Sequence, residues 1–184
     1  MTIFFIVFIL HWYLSLFSQT FFLHRYAAHS MFRMNAFWEK FFYFFTWITQ
    51  GSSYLSPYAY GILHRLHHAF TDTENDPHSP SYTKGLFPLM WKTKQIYGDI
   101  NSDKFPVDDK FMKNLPMWRS FDRFVSSFGI RIAWGVIYFL FYLAFATQWW
   151  MWLLFPITCL MGPVHGAIIN YFAHKYGYRN FEME

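Results

Sequence analysis

Two long stretches without charged side chains constrain this chain more than any other feature. Residues 2–23 contain no Asp, Glu, Lys or Arg, and neither do residues 132–174. A helix needs about 20 mainly apolar residues to cross the hydrocarbon core of a bilayer. The first stretch therefore predicts one span over about 2–23. The second is long enough for a hairpin of two spans, over about 128–147 and 150–172.

The composition supports a membrane protein and excludes two other classes. Hydrophobic residues make up 54% of the 184, aromatic residues 26% and charged residues only 14%, which excludes a disordered chain. Cys159 is the only cysteine and cannot pair within the chain, which excludes a disulfide-stapled fold. We therefore expect an all-α, multi-pass membrane protein with about three transmembrane helices.

The basic residues predict an orientation. Of the 15 Lys and Arg, 13 lie from Arg25 to Arg131, whereas the tip of the predicted hairpin near Gln148 carries none. By the positive-inside rule, the middle segment and the C-terminus are expected in the cytoplasm. A bacterial inner membrane is favoured over the endoplasmic reticulum. Pro156 and Pro163 are expected to bend the last span, and the Arg131 side chain to reach toward water.

Residues 36–60 are apolar but are interrupted by charged residues, glycine and proline. They are too few for two crossings, and one crossing would place their two flanks in different compartments. We interpret the segment as an amphipathic or re-entrant helix at the cytoplasmic interface, with a plain span as the alternative. Residues 69–122 are polar and turn-rich and predict a cytoplasmic loop with short helices. Residues 1–184 would then form a single domain with a cytoplasmic cap that carries histidines.

Six of the nine histidines occur in three short groups, each at the predicted cytoplasmic end of an apolar segment. The groups are His24-Arg-Tyr-Ala-Ala-His29, His64-Arg-Leu-His67-His68 and Asn170-Tyr-Phe-Ala-His174. At about 100° per residue in an α-helix, the histidines of the second group share one face, and the asparagine and histidine of the third group share another. The two histidines of the first group are about 140° apart and would hold a site from two sides.

This pattern predicts a metal centre. Imidazole is a common metal ligand, and groups on one side of a membrane can surround a shared site. Because the groups contain no thiolate or carboxylate, zinc, iron or copper is favoured over magnesium or calcium. Five or six imidazoles exceed the four ligands of tetrahedral zinc, so two ions are the natural count, and two irons would permit oxygen chemistry. The alternative is a set of interfacial histidines packed for amphipathicity, which accounts for one group more easily than for three.

The other three histidines carry weaker signals. His165 is expected to make a polar contact between helices, because it lies on the opposite helical face from the third group. His78 is interpreted as a loop residue. His11 lies deep in the first predicted span, where an ionisable residue is a functional candidate, and it is left open as part of a substrate path.

These motifs resemble the membrane fatty acid desaturases, specifically the acyl-CoA desaturase branch of stearoyl or Δ9 type. The first group matches that family's first box, His-x-x-x-x-His. The second group, followed by Thr71-Asp-Thr and Asp76-Pro-His, matches the second box and the run after it. The third group matches the segment that provides a further histidine ligand and an asparagine held to the metal through water. The likeness covers about residues 20–181.

The resemblance implies an enzyme with two iron ions that uses O2 and two electrons to introduce a double bond into an acyl chain. It implies no catalytic residue beyond the metal ligands. Asn170 would contribute through a bound water, and the implied iron ligands are His24, His29, His64, His67, His68 and His174. The implied partners are an acyl-CoA or acyl-lipid substrate, the lipid bilayer, and an electron donor such as a ferredoxin, a rubredoxin or a cytochrome b-type protein with its reductase. Nucleic acid is not expected as a partner, because no basic binding motif is present.

Two departures from the family pattern lead to a further expectation. The family's last box, His(or Gln)-x-x-His-His, does not occur before Glu184, and three spans are counted where the family commonly has four. We therefore expect a chain that is truncated before the last box and incomplete as a diiron enzyme. The alternatives left open are a related histidine-box hydroxylase or alkane or sterol oxidase, a non-catalytic membrane metal-binding protein such as a transporter, and an inert fragment.

Overall fold

The computed structural model of the chain describes residues 1–71, 73–173 and 176. Within these residues the secondary structure is entirely helical, which confirms the predicted all-α class. Two described helices are long and apolar enough to cross a membrane, Thr2–Ala28 and Phe128–Phe145. A bent pair, Trp149–Cys159 and Met161–Phe172, makes a third if it is counted as one span.

The first helix is longer than the span predicted for it. Helix α1, Thr2–Phe17, continues without a break as a π-helix, Ser18–Ala28. Its 27 residues extend about 40 Å, whereas a hydrocarbon core is about 30 Å thick. The extra length beyond residue 23 packs against protein, so it does not need to be apolar and includes the exposed Arg25.

A helical hairpin follows, in place of the single segment predicted over residues 36–60. Helix α2 is Ala36–Gln50, a 3-10 turn is Gly51–Ser53, and helix α3 is Pro57–Phe70. The Asn35 side chain accepts a hydrogen bond from a backbone N–H in the first turn of α2, and the Ser56 side chain does the same for α3. Such caps satisfy donors that have no partner inside the helix, which fixes where each helix begins.

The hairpin enters and leaves beside the same end of the first helix. The hydroxyls of Ser18 and Thr49 are 2.6 Å apart, and the Tyr26 hydroxyl donates to the Glu39 carboxylate, so α2 runs antiparallel to the π-helix. Helix α3 then returns along the π-helix toward its C-terminal end. This reversal is what a re-entrant segment requires, and the position of the hairpin relative to a membrane stays a prediction.

The described part of the predicted loop after α3 contains a 3-10 turn, Pro80–Tyr82, and three α-helices. The α-helices are α4, Leu86–Asn101, α5, Asp109–Met112, and α6, Arg119–Val125. Apolar side chains of α3, α4 and α5 form one buried cluster, so this region packs onto the hairpin and has no separate core.

The C-terminal part contains the second apolar hairpin. Helix α7 is Phe128–Phe145, and a 3-10 segment, Trp149–Leu154, leads into α8, Phe155–Cys159. Helix α9, Met161–Ala167, continues as a second π-helix, Ile168–Ala173. The chain bends by 80° between α8 and α9.

The position of this bend follows from Pro163. A proline lacks the N–H that would donate to the carbonyl four residues earlier, here that of Cys159, and its ring clashes with that carbonyl. The helix therefore breaks at Leu160, whose backbone leaves helical geometry at φ −117°. Pro156 lies in the first turn of α8, where a missing N–H costs little.

The expectation that the Arg131 side chain reaches toward water stays a prediction, and the half-buried guanidinium binds the backbone of the turn. Its guanidinium donates to the backbone carbonyls of Ser52 at 2.6 Å, Tyr54 at 3.0 Å and Ser126 at 3.2 Å. The tight turn between α2 and α3 leaves carbonyls without helical partners, and the arginine fork supplies them with donors.

Candidate metal centre

The π-helix changes the relation between the two histidines of the first group. The His29 N–H donates to the His24 carbonyl at 3.0 Å, an i→i+5 hydrogen bond that widens the turn. Residue i+5 then lies close to residue i, and the two Nε2 atoms are 3.2 Å apart. The α-helical expectation of two rings about 140° apart was therefore wrong, because it assumed 3.6 residues per turn.

Helix α3 brings two further imidazoles to the same point. His64 and His68 are four residues apart, on one face, and their Nε2 atoms are 3.0 Å apart. The Nε2 of His29 is also 3.0 Å from that of His64. Four ring nitrogens from two helices thus converge within 4.8 Å of one another, and we call this set, His24, His29, His64 and His68, the four-histidine cluster.

The cluster fits a transition-metal ion by the chemistry of its donors. A neutral imidazole offers one lone pair, and a cation at the centre can accept all four at once. Ring nitrogens about 2.1 Å from one ion and at right angles to each other lie about 3.0 Å apart. The observed separations of 3.0 to 3.2 Å match that spacing. A set made only of imidazoles suits zinc, iron, copper or nickel.

The electrostatics keep the His64 imidazole in its metal-binding form. Burial and then the neighbouring imidazoles, those of His24 and His68 first, lower the pKa of His64 to about 2. Both causes disfavour the protonated ring, since a charged imidazole would be desolvated and repelled. The His64 ring is therefore neutral near pH 7, with a lone pair available to a metal ion.

Arg65, within the second histidine group, connects the segments that carry the four-histidine cluster. Its guanidinium donates to the carbonyls of Ala28 at 2.7 Å and Ala27 at 3.1 Å, directly before the ligand-bearing end of the first helix. It also donates to the carbonyls of Phe111 at 3.0 Å and Lys113 at 2.7 Å. One side chain thus connects three segments that are distant in sequence.

The remaining histidine of the second group belongs to a different set. The His67 Nδ1 is 3.0 and 2.9 Å from the two carboxylate oxygens of Asp76, and its ring centroid is 4.4 Å from that of His78. All three residues are buried, and we call them the His67–Asp76–His78 set. Asp76 was not among the predicted ligands, and His78 was interpreted as a loop residue. The Asp76-Pro77-His78 run was the available signal, because an aspartate often bonds the backbone two residues on.

The third group is only partly described. Asn170 lies in the second π-helix, half-buried, and its side chain forms no hydrogen bond with another described residue. His174 lies outside the described residues, so its predicted role as a ligand stays a prediction.

The two histidines within the spans lie away from these sets. His11 has its Nε2 3.4 Å from the Thr158 carbonyl and 3.5 Å from the Tyr138 hydroxyl. His165 is buried, and its ring makes a T-shaped contact with Trp12, at 4.6 Å between ring centroids. This is a contact between helices, as expected, but an aromatic one.

Comparisons with known proteins agree with the histidine pattern. The family model described as fatty acid desaturase matches residues 1–184. A Delta-9 desaturase-like 5 protein of Arabidopsis thaliana is 41% identical over 64 residues, which are 34% of this chain and 20% of that protein. The match therefore spans about a fifth of that relative's length. No solved structure matches.

Proposed function

Because this chain belongs to the fatty acid desaturase family, we propose that it is the iron-binding part of a membrane desaturase that introduces a double bond into an acyl chain. The observation that carries the proposal is the convergence of four Nε2 atoms from two separate histidine groups. A histidine-only donor set fits iron, and iron with O2 can oxidise an unactivated methylene, which side-chain acids and bases cannot.

The geometry supports a division of the proposed ligands between two ions. The four-histidine cluster would hold the first ion. The His67 ring is 5.6 Å from that of His68 and 6.3 Å from that of His64, and its Nδ1 faces Asp76, so it would serve the second. His174 and, through a water molecule, Asn170 complete the proposed ligands of the second ion.

The proposed reaction balances as R–CH2–CH2–R′ + O2 + 2 electrons + 2 protons, giving R–CH=CH–R′ + 2 H2O. Bound iron would supply the oxidising power. The residues of the chain hold imidazoles at fixed separations and present them beside long apolar helices, where an acyl substrate partitions. The substrate is an acyl-CoA or an acyl-lipid, and the electrons come from a ferredoxin, a rubredoxin or a cytochrome b-type donor. The His-bearing cap is proposed to face the cytoplasm.

The first test is the metal content of the full chain purified in detergent. We expect iron to bind, and His64→Ala to remove at least one equivalent, because this ring contacts both His29 and His68. His11→Phe is the matched control, since it removes a histidine outside both sets. Zinc alone, or the same metal content in all three proteins, would overturn the proposal.

The second test separates desaturation from related chemistry. The chain is expressed with a redox system in a host rich in saturated acyl chains, and the lipids are analysed by gas chromatography and mass spectrometry. A new alkene that disappears in His64→Ala supports desaturation. A new hydroxy fatty acid indicates a hydroxylase, and bound iron without either product indicates that these 184 residues bind metal but do not by themselves oxidise acyl chains.

A further inference from the structure

We propose that Asp76 is a positioning residue for metal binding: its carboxylate holds the proton of His67 on Nδ1 and turns Nε2 toward the second ion. This inference rests on the proposed function, since it concerns an ion of the same centre. It assigns a role to Asp76, which lies between α3 and α4, a segment that contains none of the proposed metal ligands.

The first step is the contact itself. Both carboxylate oxygens of Asp76 lie within 3.0 Å of the His67 Nδ1. A carboxylate ion can only accept hydrogen bonds, so a neutral His67 must donate from Nδ1. The lone pair of the neutral ring is then on Nε2, and that nitrogen is the one available to a metal ion.

The second step is the rigidity of the carboxylate. Asp76 is 0% exposed, and its Oδ1 accepts the backbone N–H of His78 at 3.0 Å. The backbone carbonyl of Asp76 accepts from the Lys92 ammonium at 3.1 Å. The loop is therefore fixed to helix α4, and the carboxylate is held in place before any ion binds.

The histidines within one turn of α3 present different ring nitrogens to their neighbours. His64 and His68 present Nε2 to other imidazoles, whereas His67 presents Nδ1 to a carboxylate. Metal-bound histidines commonly donate their other N–H to a carboxylate or carbonyl, which fixes the ring and raises its basicity. The same arrangement at His67 indicates a metal ligand whose ring orientation is fixed by Asp76. The hydrogen bond from His67 also offsets part of the free-energy cost of burying the Asp76 carboxylate.

The test combines metal titration with a measurement on the metal-free chain. The 184-residue chain in detergent is titrated with Co²⁺, whose visible absorption reports each site. We expect Asp76→Asn to weaken the second site by about 10- to 100-fold and to leave the four-histidine cluster unchanged. Asp108→Asn is the matched control, because that carboxylate is exposed and paired only loosely with Lys110 at 3.5 Å.

The tautomer of His67 is read separately from 15N shifts, with the signal assigned by its loss in His67→Gln. A proton on Nδ1 in the parent chain, and its loss or exchange between nitrogens in Asp76→Asn, supports the inference. A proton on Nε2 in the parent chain, or equal affinities of both sites in the parent and Asp76→Asn, overturns it. A parent chain that binds no metal, but carries the Nδ1 proton, overturns the proposed function and with it the positioning role, while the hydrogen bond itself stands.

Discussion

One arginine binds the backbone at each end of the α2–α3 hairpin, but only one of these two ends carries the candidate metal centre. Arg65 lies at the open end, beside the four-histidine cluster, and donates to the carbonyls of Ala27 and Ala28. Arg131 lies at the turn and donates to the carbonyls of Ser52 and Tyr54. Both use the planar fork of a guanidinium to satisfy several carbonyls at once.

The difference lies in what surrounds each arginine. At the turn, the buried Asp122 accepts hydrogen bonds from the Tyr54 hydroxyl at 2.6 Å and the Ser56 hydroxyl at 2.9 Å, so these three side chains satisfy one another. At the open end, imidazole nitrogens face imidazole nitrogens, an arrangement that a cation completes. The turn therefore contributes to stability, whereas the open end brings together imidazoles that can hold a metal ion.

The largest expected effect comes from Arg65→Ala. It removes donors from the carbonyls of Ala27 and Ala28, directly before His29, and we expect the free energy of unfolding to fall by about 2–4 kcal/mol. Metal affinity of the four-histidine cluster should fall by about 10-fold or more, because small displacements of ligands are costly. Thermal unfolding in detergent and Co²⁺ titration measure the two effects.

The matched variants for this prediction are Arg131→Ala and Arg123→Ala. We expect Arg131→Ala to lower stability by a similar amount but to leave the metal affinity of the folded protein unchanged. Arg123→Ala removes an exposed side chain whose salt bridge is with Asp103, and it should change neither quantity by more than about 0.5 kcal/mol. Equal losses of metal affinity in Arg65→Ala and Arg131→Ala would remove the distinction between the two ends.

The next effect concerns the turn alone. Gly51 has φ +53°, and a Cβ at this position would lie 1.7 Å from the Tyr138 hydroxyl. Gly51→Ala therefore combines backbone strain with a steric clash against α7, and we expect a loss of about 2–3 kcal/mol in the free energy of unfolding. Metal affinity should be retained, because the cluster is at the other end of the hairpin.

Gly98→Ala is the control for this substitution. Gly98 lies within α4, and a Cβ there would meet no atom within 4 Å, so the higher helix propensity of alanine should raise stability by about 0.5–1 kcal/mol. A Gly51→Ala protein as stable as the parent would show that the turn adapts to a side chain, and would weaken the contrast between a rigid turn and an open end that carries the four-histidine cluster.

The sequence predicted the parts of this molecule that depend on local periodicity. The uncharged stretches gave the apolar helices, and the spacing of His64 and His68 on an α-helix placed two converging ring nitrogens correctly. The α-helical period failed for His24 and His29, because nothing in their spacing indicates a π-helix. Asp76 and His78 join His67 only through the closure of a loop, and tertiary contacts of that kind leave no period in the sequence.

The smallest expected effect concerns the Asp122 carboxylate, which accepts hydrogen bonds at the turn, and it depends on pH. Burial raises the pKa of Asp122 above its ordinary value of 3.8, although the hydrogen bonds from Tyr54 and Ser56 and the charge of Arg119 act in the opposite direction. The folded protein then binds a proton that the unfolded chain has already released. This contribution to stability is fully present below pH 3.8 and is lost as the pH rises through the raised pKa of the folded state.

Asp122→Asn removes this dependence, because an amide does not titrate. The free energy of unfolding of the parent relative to Asp122→Asn should therefore decrease as the pH rises from about 3.8 and then level off above the raised pKa of the folded state. The histidines titrate in both proteins, so their effect cancels in the difference, which thermal unfolding across pH 3.5–7 can measure. A difference that grows with pH would mean that the hydrogen bonds and Arg119 outweigh burial. Asp122 would then stabilise the turn as an anion, and the stability of the turn would depend on the negative charge of this carboxylate.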